Sequence, residues 1–178
     1  MQEIEIKVIG IDFPLLKERL KEAGARFDTV EEQTNIRIDS STHPISEDAY
    51  LRIRIVEEEG RVTSREFTYK ERQPSASARV NEETTVLIDD EIALQKLLAK
   101  MGYDQAKTSY KRRERYLLED FRFEFDCWDK KTLSYPYMEI EAPSEERLQE
   151  MLKKLEIAPS HCSTKSIREL QKEDRGKH

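Results

Sequence analysis

The stretch of the sequence that could most readily do chemistry is Glu3-Ile4-Glu5-Ile6-Lys7. At the period of two of a β-strand, Glu3, Glu5 and Lys7 share one face, and the isoleucines share the other. Two carboxylates and an ammonium group on one face could hold a cation together with an anion. One such strand alone is as often the solvated face of an antiparallel sheet.

The same alternation of charged and apolar residues returns along the chain. It is seen in four further segments: Arg52 to Arg54, Thr68 to Lys70, Arg122 to Asp126, and Glu139 to Glu141. A sheet with so many strands tends to curl or to close. If helices cover the apolar face, the charged face becomes the lining of a tunnel.

Glu3-x-Glu5-x-Lys7 resembles the ExExK signature of the CYTH superfamily, the triphosphate tunnel metalloenzymes. That group includes class IV adenylyl cyclases, thiamine triphosphatases and inorganic tripolyphosphatases. Further residues match the family pattern in order: Arg52-x-Arg54, Lys70, Lys111-x-Arg113, Asp126 and Glu139-x-Glu141. This ordered set spans nearly the whole chain, and it implies a closed, tunnel-like barrel with helices outside.

The predicted elements agree with that fold. Strands are expected up to about residue 10 and at about 26–39, 50–57, 61–71, 79–88, 106–118, 121–128 and 133–142. Helices are expected from Phe13 to Gly24, from Asp90 to Gly102, from Ser144 until Pro159, and at about 165–173. We therefore predict an α+β fold, a closed antiparallel eight-stranded β-barrel with helices packed outside, in a single domain over 1–178. The tail from about residue 174 is expected to be flexible.

Apolar residues within these elements predict the core. The second helix is expected to bury Ile92, Leu94, Leu97, Leu98 and Met101, and the third Leu148, Met151, Leu152 and Leu155. Cys127 falls on the apolar side of its strand and is also expected in the core.

Composition narrows the choice of partners. Charged residues make up 38% of the 178 residues, well above the usual quarter or so. Such a surplus suits an ionic lumen or a surface rich in ion pairs. A net charge of −6 argues against a nucleic-acid surface, so a polyanion must meet a local cluster of bases.

Cysteine and histidine usage points to neither a zinc site nor a catalytic triad. Cys127 and Cys162 lack metal-ligand spacing, and His43, His161 and His178 are scattered, as expected of surface loops or a tail. Without a recognisable signal peptide or membrane span, we expect a cytoplasmic protein with no membrane or nucleic-acid partner, and a homodimer is possible.

The residues matched by the resemblance divide into five acids and seven bases. The acids, expected to hold Mg²⁺ or Mn²⁺, are Glu3, Glu5, Asp126, Glu139 and Glu141. The bases, expected to bind phosphate oxygens, are Lys7, Arg52, Arg54, Lys70, Arg79, Lys111 and Arg113. Lys7, Lys111 and Arg113 are the expected catalytic residues. A triphosphate with one divalent cation, at about −2, would offset the excess of two positive charges.

The reaction stays open at this point. The Ser166-Ile167-Arg168-Glu169-Leu170 segment and the strand before Asp39 resemble class IV adenylyl cyclases and favour cyclisation of ATP to cyclic AMP and pyrophosphate. The alternatives are hydrolysis of tripolyphosphate, thiamine triphosphate or a nucleoside triphosphate, and binding of nucleotide or polyphosphate without catalysis. Arg37 and Ile167 depart from the cyclase pattern, which commonly has tyrosine at both positions.

Two further points also stay open. Arg52 and Arg54 could simply neutralise Glu3 and Glu5 in a buried network. The inward register of the strand that contains Glu82 and Glu83 is not fixed by the sequence.

Overall fold

The structure is a computed structural model that describes residues 2–75 and 77–176. Eight strands build the sheet: β1 (Gln2–Ile9), β2 (Arg26–Asp39), β3 (Ala49–Glu58), β4 (Arg61–Gln73), β5 (Arg79–Leu87), β6 (Gln105–Leu118), β7 (Phe121–Trp128) and β8 (Tyr137–Ala142). The helices are α1 (Phe13–Glu22), α2 (Glu91–Lys100), α3 (Glu145–Lys154) and α4 (Ile167–Arg175). A 3₁₀ turn (Pro159–His161) and a two-residue strand, β9 (Cys162–Ser163), precede α4.

The sheet closes on itself. Its strands follow the order β5-β4-β3-β2-β6-β7-β8-β1, and β1 pairs with β5 to complete the ring. All of these pairs are antiparallel. β9 pairs with β1 at Lys7 and Val8, beyond the residues of β1 that pair with β5. The predicted closed, eight-stranded antiparallel barrel is therefore confirmed.

The hydrophobic core lies outside the barrel, between the sheet and the helices. Leu16 and Leu20 of α1 and Leu148 of α3 pack with the aromatic face of β7, including Phe123. A second cluster lies under α2, around Ile53, and a smaller one lies around Leu170 of α4. The apolar side chains of each strand therefore point outward, which leaves the alternate charged side chains for the lumen.

Local signals in the sequence set the helix ends. The carboxylate of Asp12 accepts a hydrogen bond from the backbone N–H of Leu15 (3.2 Å) at the start of α1. After α1 the chain turns at Gly24, whose φ of +95° strongly favours glycine. Ser166 and Glu169 form a reciprocal capping box that starts α4.

Two core predictions are wrong. In α2 and at Met101, which follows it, Leu98 is buried, but Ile92, Leu97 and Met101 are 57–68% exposed. This short helix packs one side against the barrel, and its apolar residues are spread around more than that side. Cys127 is exposed rather than buried, because it comes two residues after Phe125, at the edge of the apolar cluster on β7.

The chain near β8 and the C-terminus also differs from the prediction. β8 begins at Tyr137 rather than near residue 133, since Pro136 has no N–H to give to a strand ladder. Leu133 is nevertheless buried against Tyr137. α4 continues to Arg175. His178 lies outside the described residues, and the single-domain assignment and the flexible tail stay predictions.

Among the helices of residues 2–75 and 77–176, none is both long enough and apolar enough to cross a membrane. His43 lies exposed in the loop after β2, as predicted. His161 is half-buried, and its Nδ1 lies 2.8 Å from the carbonyl oxygen of Ile9. This contact holds the 3₁₀ turn against the end of β1.

Candidate active site

The barrel encloses a cavity of about 810 Å³ lined mainly by charged and polar side chains. Eleven of the twelve predicted site residues line this tunnel: Glu3, Glu5, Lys7, Arg52, Arg54, Lys70, Arg79, Lys111, Arg113, Glu139 and Glu141. The twelfth, Asp126, is fully buried in the wall behind them. The alternation seen in the sequence thus brings together residues far apart in the chain.

The carboxylates gather on one side because β7, β8 and β1 are consecutive in the ring. The β1–β8 register places Glu5 opposite Glu141 and Lys7 opposite Glu139. Lys7 Nζ lies 2.9 Å from Glu139 Oε1 and 3.2 Å from Glu5 Oε1, so it bridges two of the acids.

A second lysine bridges the other acids. Lys70 forms an ion pair with Glu3, and its Nζ also lies 3.6 Å from Glu5 and 3.4 Å from Glu83. Glu83 lines the tunnel, whereas Glu82 is exposed, which resolves the register that the sequence left open. Both lysines neutralise carboxylates in this arrangement.

That neutralisation is incomplete. Burial, followed by the charge of Glu139, raises the pKa of Glu5 to about 7. Burial, followed by Glu124 and Glu3, raises the pKa of Glu141 to about 9. Burial acts against ionisation of Glu139 as well, but Lys7 and Arg113 hold its pKa well below the usual range. The acidic wall therefore lacks part of its positive countercharge, which a divalent cation would supply.

The chemistry of these carboxylates fits a hard divalent cation, which prefers oxygen ligands. Glu3, Glu5, Glu139 and Glu141 are the residues that would hold it. Within the described part of the chain, no three acidic, histidine or cysteine side chains are already arranged around one point to bind a metal. Lys7 and Lys70 instead supply the positive charge between the carboxylates.

The opposite wall carries guanidinium groups. In a ring of eight strands, β3 lies across from β8. Arg54 of β3 donates from Nε to Asn35 (3.2 Å). Burial and the positive charges of Arg52 and Arg113 lower the pKa of Arg54. Buried donors at Arg52 Nε and Asn35 Nδ2 find no acceptor within the described structure. This wall therefore offers unused donors to an anion.

Asp126 organises the bases next to this wall. Its carboxylate accepts hydrogen bonds from Lys111 Nζ (2.9 Å) and from Arg113 Nε and Nη2 (2.7 and 2.8 Å). Burial and the charge of Arg113 lower the pKa of Lys111 to about 7, although Asp126 opposes that shift. These contacts suit Asp126 to positioning bases, and its role as a metal ligand stays a prediction.

Two aromatic residues extend this network. Tyr137 donates from its hydroxyl to Asp126 (2.9 Å) and accepts from Trp128 Nε1 (3.0 Å). The rings also lie near the lysines, with Lys7 Nζ 5.9 Å from the Tyr137 centroid and Lys111 Nζ 5.1 Å from that of Trp128. The pair therefore helps to fix both lysines and Asp126 in place.

The alternative of a simple neutralising network for Arg52 and Arg54 is not what the described residues show. Arg52 Nη2 lies 3.8 Å from Glu83, and Arg54 contacts an amide oxygen. Glu3 and Glu5 pair with Lys7, Lys70 and Arg79 instead. Arg52 Nε thus keeps an unused donor for another ligand.

A family model described as the CYTH domain matches residues 1–167. The chain belongs to the CYTH domain family. This family is metal-dependent and binds triphosphate substrates, so membership supports a phosphoryl-transfer enzyme. No curated protein matches the sequence.

Solved structures share the fold. The PH1012 protein of Pyrococcus horikoshii OT3 gives a TM-score of 0.78 at 23% identity, over 94% of this chain and 98% of that one. A proposed adenylate cyclase of Vibrio parahaemolyticus gives 0.73 at 14% identity, over 96% and 97%. A proposed adenylyl cyclase of Hippeastrum with a dominant triphosphatase activity gives 0.64 at 18% identity, over 93% and 90%. At these identities the likeness concerns the fold alone.

Some lining residues were missed by the sequence interpretation. Tyr137 gives no charge signal, although it continues the alternation of Glu139 and Glu141 by two residues. Arg37 and Lys107 continue the inward alternation of β2 and β6 toward one end of the barrel. Arg168 and Lys172 reach the cavity from α4, and only the tertiary fold brings that helix there.

Proposed function

We propose that this protein is a metal-dependent enzyme that cleaves a phosphoanhydride bond of a triphosphate bound in the tunnel. This proposal rests on the two walls of the lumen. The acidic wall lacks positive charge, and the basic wall lacks negative charge. Carboxylates with raised pKa values line one wall, and the other wall carries the guanidinium groups of Arg52 and Arg54 with unused donors at Arg52 Nε and Asn35 Nδ2. A complex of Mg²⁺ or Mn²⁺ with a triphosphate supplies both missing charges.

The bound metal would neutralise phosphate oxygens and so favour attack on phosphorus. Arg52, Arg54 and Arg113 would grip the phosphate chain through charge-assisted hydrogen bonds. Lys111, held by Asp126, would stabilise the negative charge that builds up on the leaving oxygen. A side chain fixed in this way costs little reorganisation during the reaction.

Hydrolysis of an inorganic triphosphate is the reaction that the lining of the cavity supports best. Water adds its oxygen to the terminal phosphorus, the bridging P–O bond breaks, and one proton is released with the two phosphate products. Charged side chains continue to the end of the tunnel at Arg37 and Lys107, which suits a ligand that is anionic throughout. The similar fold of the Hippeastrum protein, with its dominant triphosphatase activity, is consistent with this choice.

Cyclisation of ATP is the second candidate. It is favoured by the resemblance of the segment from Ser166 to Leu170 to the cyclase pattern, and this segment contributes Ser166, Ile167 and Arg168 to the cavity. The 3′-hydroxyl would attack the α-phosphorus and pyrophosphate would leave. In that case Lys111 and Arg113 would lie beside the α-phosphate or the leaving group.

Phosphorus NMR distinguishes the candidates. Tripolyphosphate and ATP are incubated separately with the protein and either Mg²⁺ or Mn²⁺. Orthophosphate indicates hydrolysis, and cyclic AMP with pyrophosphate indicates the cyclase. Binding without any product in all four mixtures would reject an enzyme and favour a non-catalytic binding protein.

A further inference from the structure

One end of the tunnel carries more positive charge than its own acids neutralise. This end is formed where β2 ends, β6 begins and α4 packs. Its lining includes five bases, named here the mouth bases: Arg37, Lys107, Arg168, Lys172 and Arg175. The acids that line the same end are Asp39, Glu47 and Asp48, so two positive charges remain in excess.

The fold forces the mouth bases together. The β2–β6 register places Arg37 directly opposite Lys107, and the β2–β3 register places it opposite Arg52. Like charges opposite each other in a sheet are destabilising. On α4, residues 168, 172 and 175 share one helical face, and that face lines the cavity.

Carboxylates relieve this repulsion only in part, through the charge of Asp39. In the part of the chain that the structure describes, neither Arg37, Lys107 nor Arg168 forms an ion pair with an acid, whereas nearby Arg72 and Arg79 lie 3.9 Å from Glu169 and 3.4 Å from Glu5. Arg37 is half-buried, and burial followed by the charge of Arg168 lowers its pKa.

Asp39, the acid nearest to Arg37 in sequence, already accepts other hydrogen bonds. The carboxylate of Asp39 accepts hydrogen bonds from the backbone N–H groups of Ser40 (2.8 Å) and Ile45 (3.0 Å). It therefore holds the loop after β2 in shape, and its charge also attracts Arg37 and Arg168 without a direct ion pair among the described residues. The guanidinium of Arg37 instead lies 5.3 Å from the centre of the Tyr50 ring.

The mouth bases continue the phosphate-binding wall toward the end of the barrel where α4 packs. Lys111 and Lys107 point inward from the same face of β6, four residues apart, which is about 13 Å along a strand. Arg54, Arg52 and Arg37 form a similar series across β3 and β2. A linear anion gripped near Lys111 would find further bases if it extended toward Lys107.

Two departures from the cyclase pattern fall at this same end. Arg37 and Ile167, which both line the cavity, stand where that pattern commonly has tyrosines. Arg37 therefore presents a cation at this end, beside the ring of Tyr50, which also lines the cavity. This replacement favours an anionic group at the mouth.

We propose that the mouth bases bind a fourth phosphoryl group, so that the preferred substrate is a linear inorganic polyphosphate of at least four phosphates rather than a nucleoside triphosphate. The proposal deepens the proposed function and rests on it. Hydrolysis of the terminal anhydride bond of such a chain by water gives orthophosphate and a chain shorter by one phosphate.

Calorimetry in EDTA, which prevents metal-dependent turnover, tests this proposal. Tripolyphosphate, tetrapolyphosphate and ATP are titrated into the wild-type protein, Arg168→Ala and Lys153→Ala. Arg168 is exposed, so its removal should leave the fold intact, as circular dichroism will verify. Lys153 is an exposed base of α3 that does not line the tunnel, and its variant loses the same unit of charge.

The wild-type protein should bind tetrapolyphosphate about tenfold more tightly than tripolyphosphate, as expected for about one added charge-assisted contact. Arg168→Ala should reduce this ratio to about threefold or less, and Lys153→Ala should leave it unchanged. An Arg37→Gln variant should lower the ratio in the same way.

Three results would overturn the proposal. The first is equal binding of the two polyphosphates, and the second is tighter binding of ATP than of tetrapolyphosphate. The third is an equal fall of the affinity ratio in Arg168→Ala and Lys153→Ala, which would reveal a long-range effect of net charge. If neither polyphosphate binds in EDTA, the fourth subsite fails, and the proposed function fails as well if phosphorus NMR with Mg²⁺ or Mn²⁺ shows no product from tripolyphosphate. If tripolyphosphate binds but the ratio is one, only the fourth subsite fails.

Discussion

Replacement of Glu141 by glutamine should stabilise the metal-free protein at neutral pH. Burial, then the charges of Glu124 and Glu3, raise the pKa of Glu141 to about 9. Arg122 lies 3.2 Å away, but its side chain is about half exposed, so it offsets only part of this repulsion. At pH 7 the native protein therefore keeps Glu141 protonated, whereas the unfolded chain ionises it near 4.5.

The size of the effect follows from proton linkage. Between pH 4.5 and 9 the native state binds the proton that the unfolded state has lost, so stability falls as pH rises, by about 1.4 kcal/mol per unit. At pH 7 this amounts to at most about 3 kcal/mol. Glutamine takes up no proton, and its amide keeps a donor for Glu3, with which Glu141 hydrogen bonds. The Glu141→Gln variant should gain up to that amount at pH 7 and almost nothing at pH 4.5.

Urea unfolding in EDTA at pH 4.5, 6, 7 and 8 measures this difference. Glu139→Gln is the matched control, since Glu139 faces the same lumen two residues earlier on β8. Its carboxylate is ionised and lies 2.9 Å from Lys7 and 3.3 Å from Arg113. Loss of one partner of such a buried pair should cost about 3–5 kcal/mol at pH 7.

The reasoning is refuted if Glu141→Gln lowers stability at pH 7 as Glu139→Gln does, or if its effect does not change between pH 4.5 and 7. Addition of Mg²⁺ or Mn²⁺ supplies a second comparison. A metal at 100 times its dissociation constant should stabilise the wild-type protein by about 2.7 kcal/mol. The gain should be smaller for Glu141→Gln.

Three further substitutions test the division of roles in the tunnel. Glu5→Gln should abolish metal-dependent turnover, and wild-type activity in the phosphorus NMR assay would contradict its assignment as a ligand. Arg54→Ala should raise KM for tripolyphosphate by about 10- to 100-fold through loss of one charge-assisted contact, and steady-state kinetics with an unchanged KM would remove it from the phosphate-binding wall. Tyr137→Phe keeps the ring but deletes the donor to Asp126, so kcat should fall more than KM rises. If Tyr137→Phe lowers folding stability but does not lower kcat more than it raises KM, Tyr137 has a purely structural role.

The alternation of the sequence determines much of the barrel. β2 and β7 begin and end at the predicted residues, because a shift of one residue would bury the charged face and expose the apolar one. The same period places Lys111 and Arg113 inside and leaves Arg112 outside. The bounds of these two strands and the inward residues of β6 are therefore readable without coordinates.

Other features of the structure depend on which helix and strand surfaces pack together. The period of the apolar residues does not indicate this. Helix α2 has apolar residues on more sides than the one that packs, so the exposure of Leu97 could not be predicted from its period. The hydrogen bond between Tyr137 on β8 and Asp126 on β7 involves an uncharged side chain. The alternation of charged residues therefore does not indicate it. The mouth bases combine two strands with a helix from the end of the chain.

The charges of the tunnel explain why the metal and the phosphate chain should bind together. The raised pKa values of Glu5 and Glu141 indicate that the acidic wall lacks cations, while the unused donor at Arg52 Nε indicates that the opposite wall lacks an anion. A phosphate chain alone would approach the acidic wall unshielded, and a metal alone would add to the positive charge of the bases. Each ligand removes the repulsion that the other would meet, so positive cooperativity follows between them. The affinity for tripolyphosphate should therefore rise with Mg²⁺ in the wild-type protein and rise much less in Glu141→Gln.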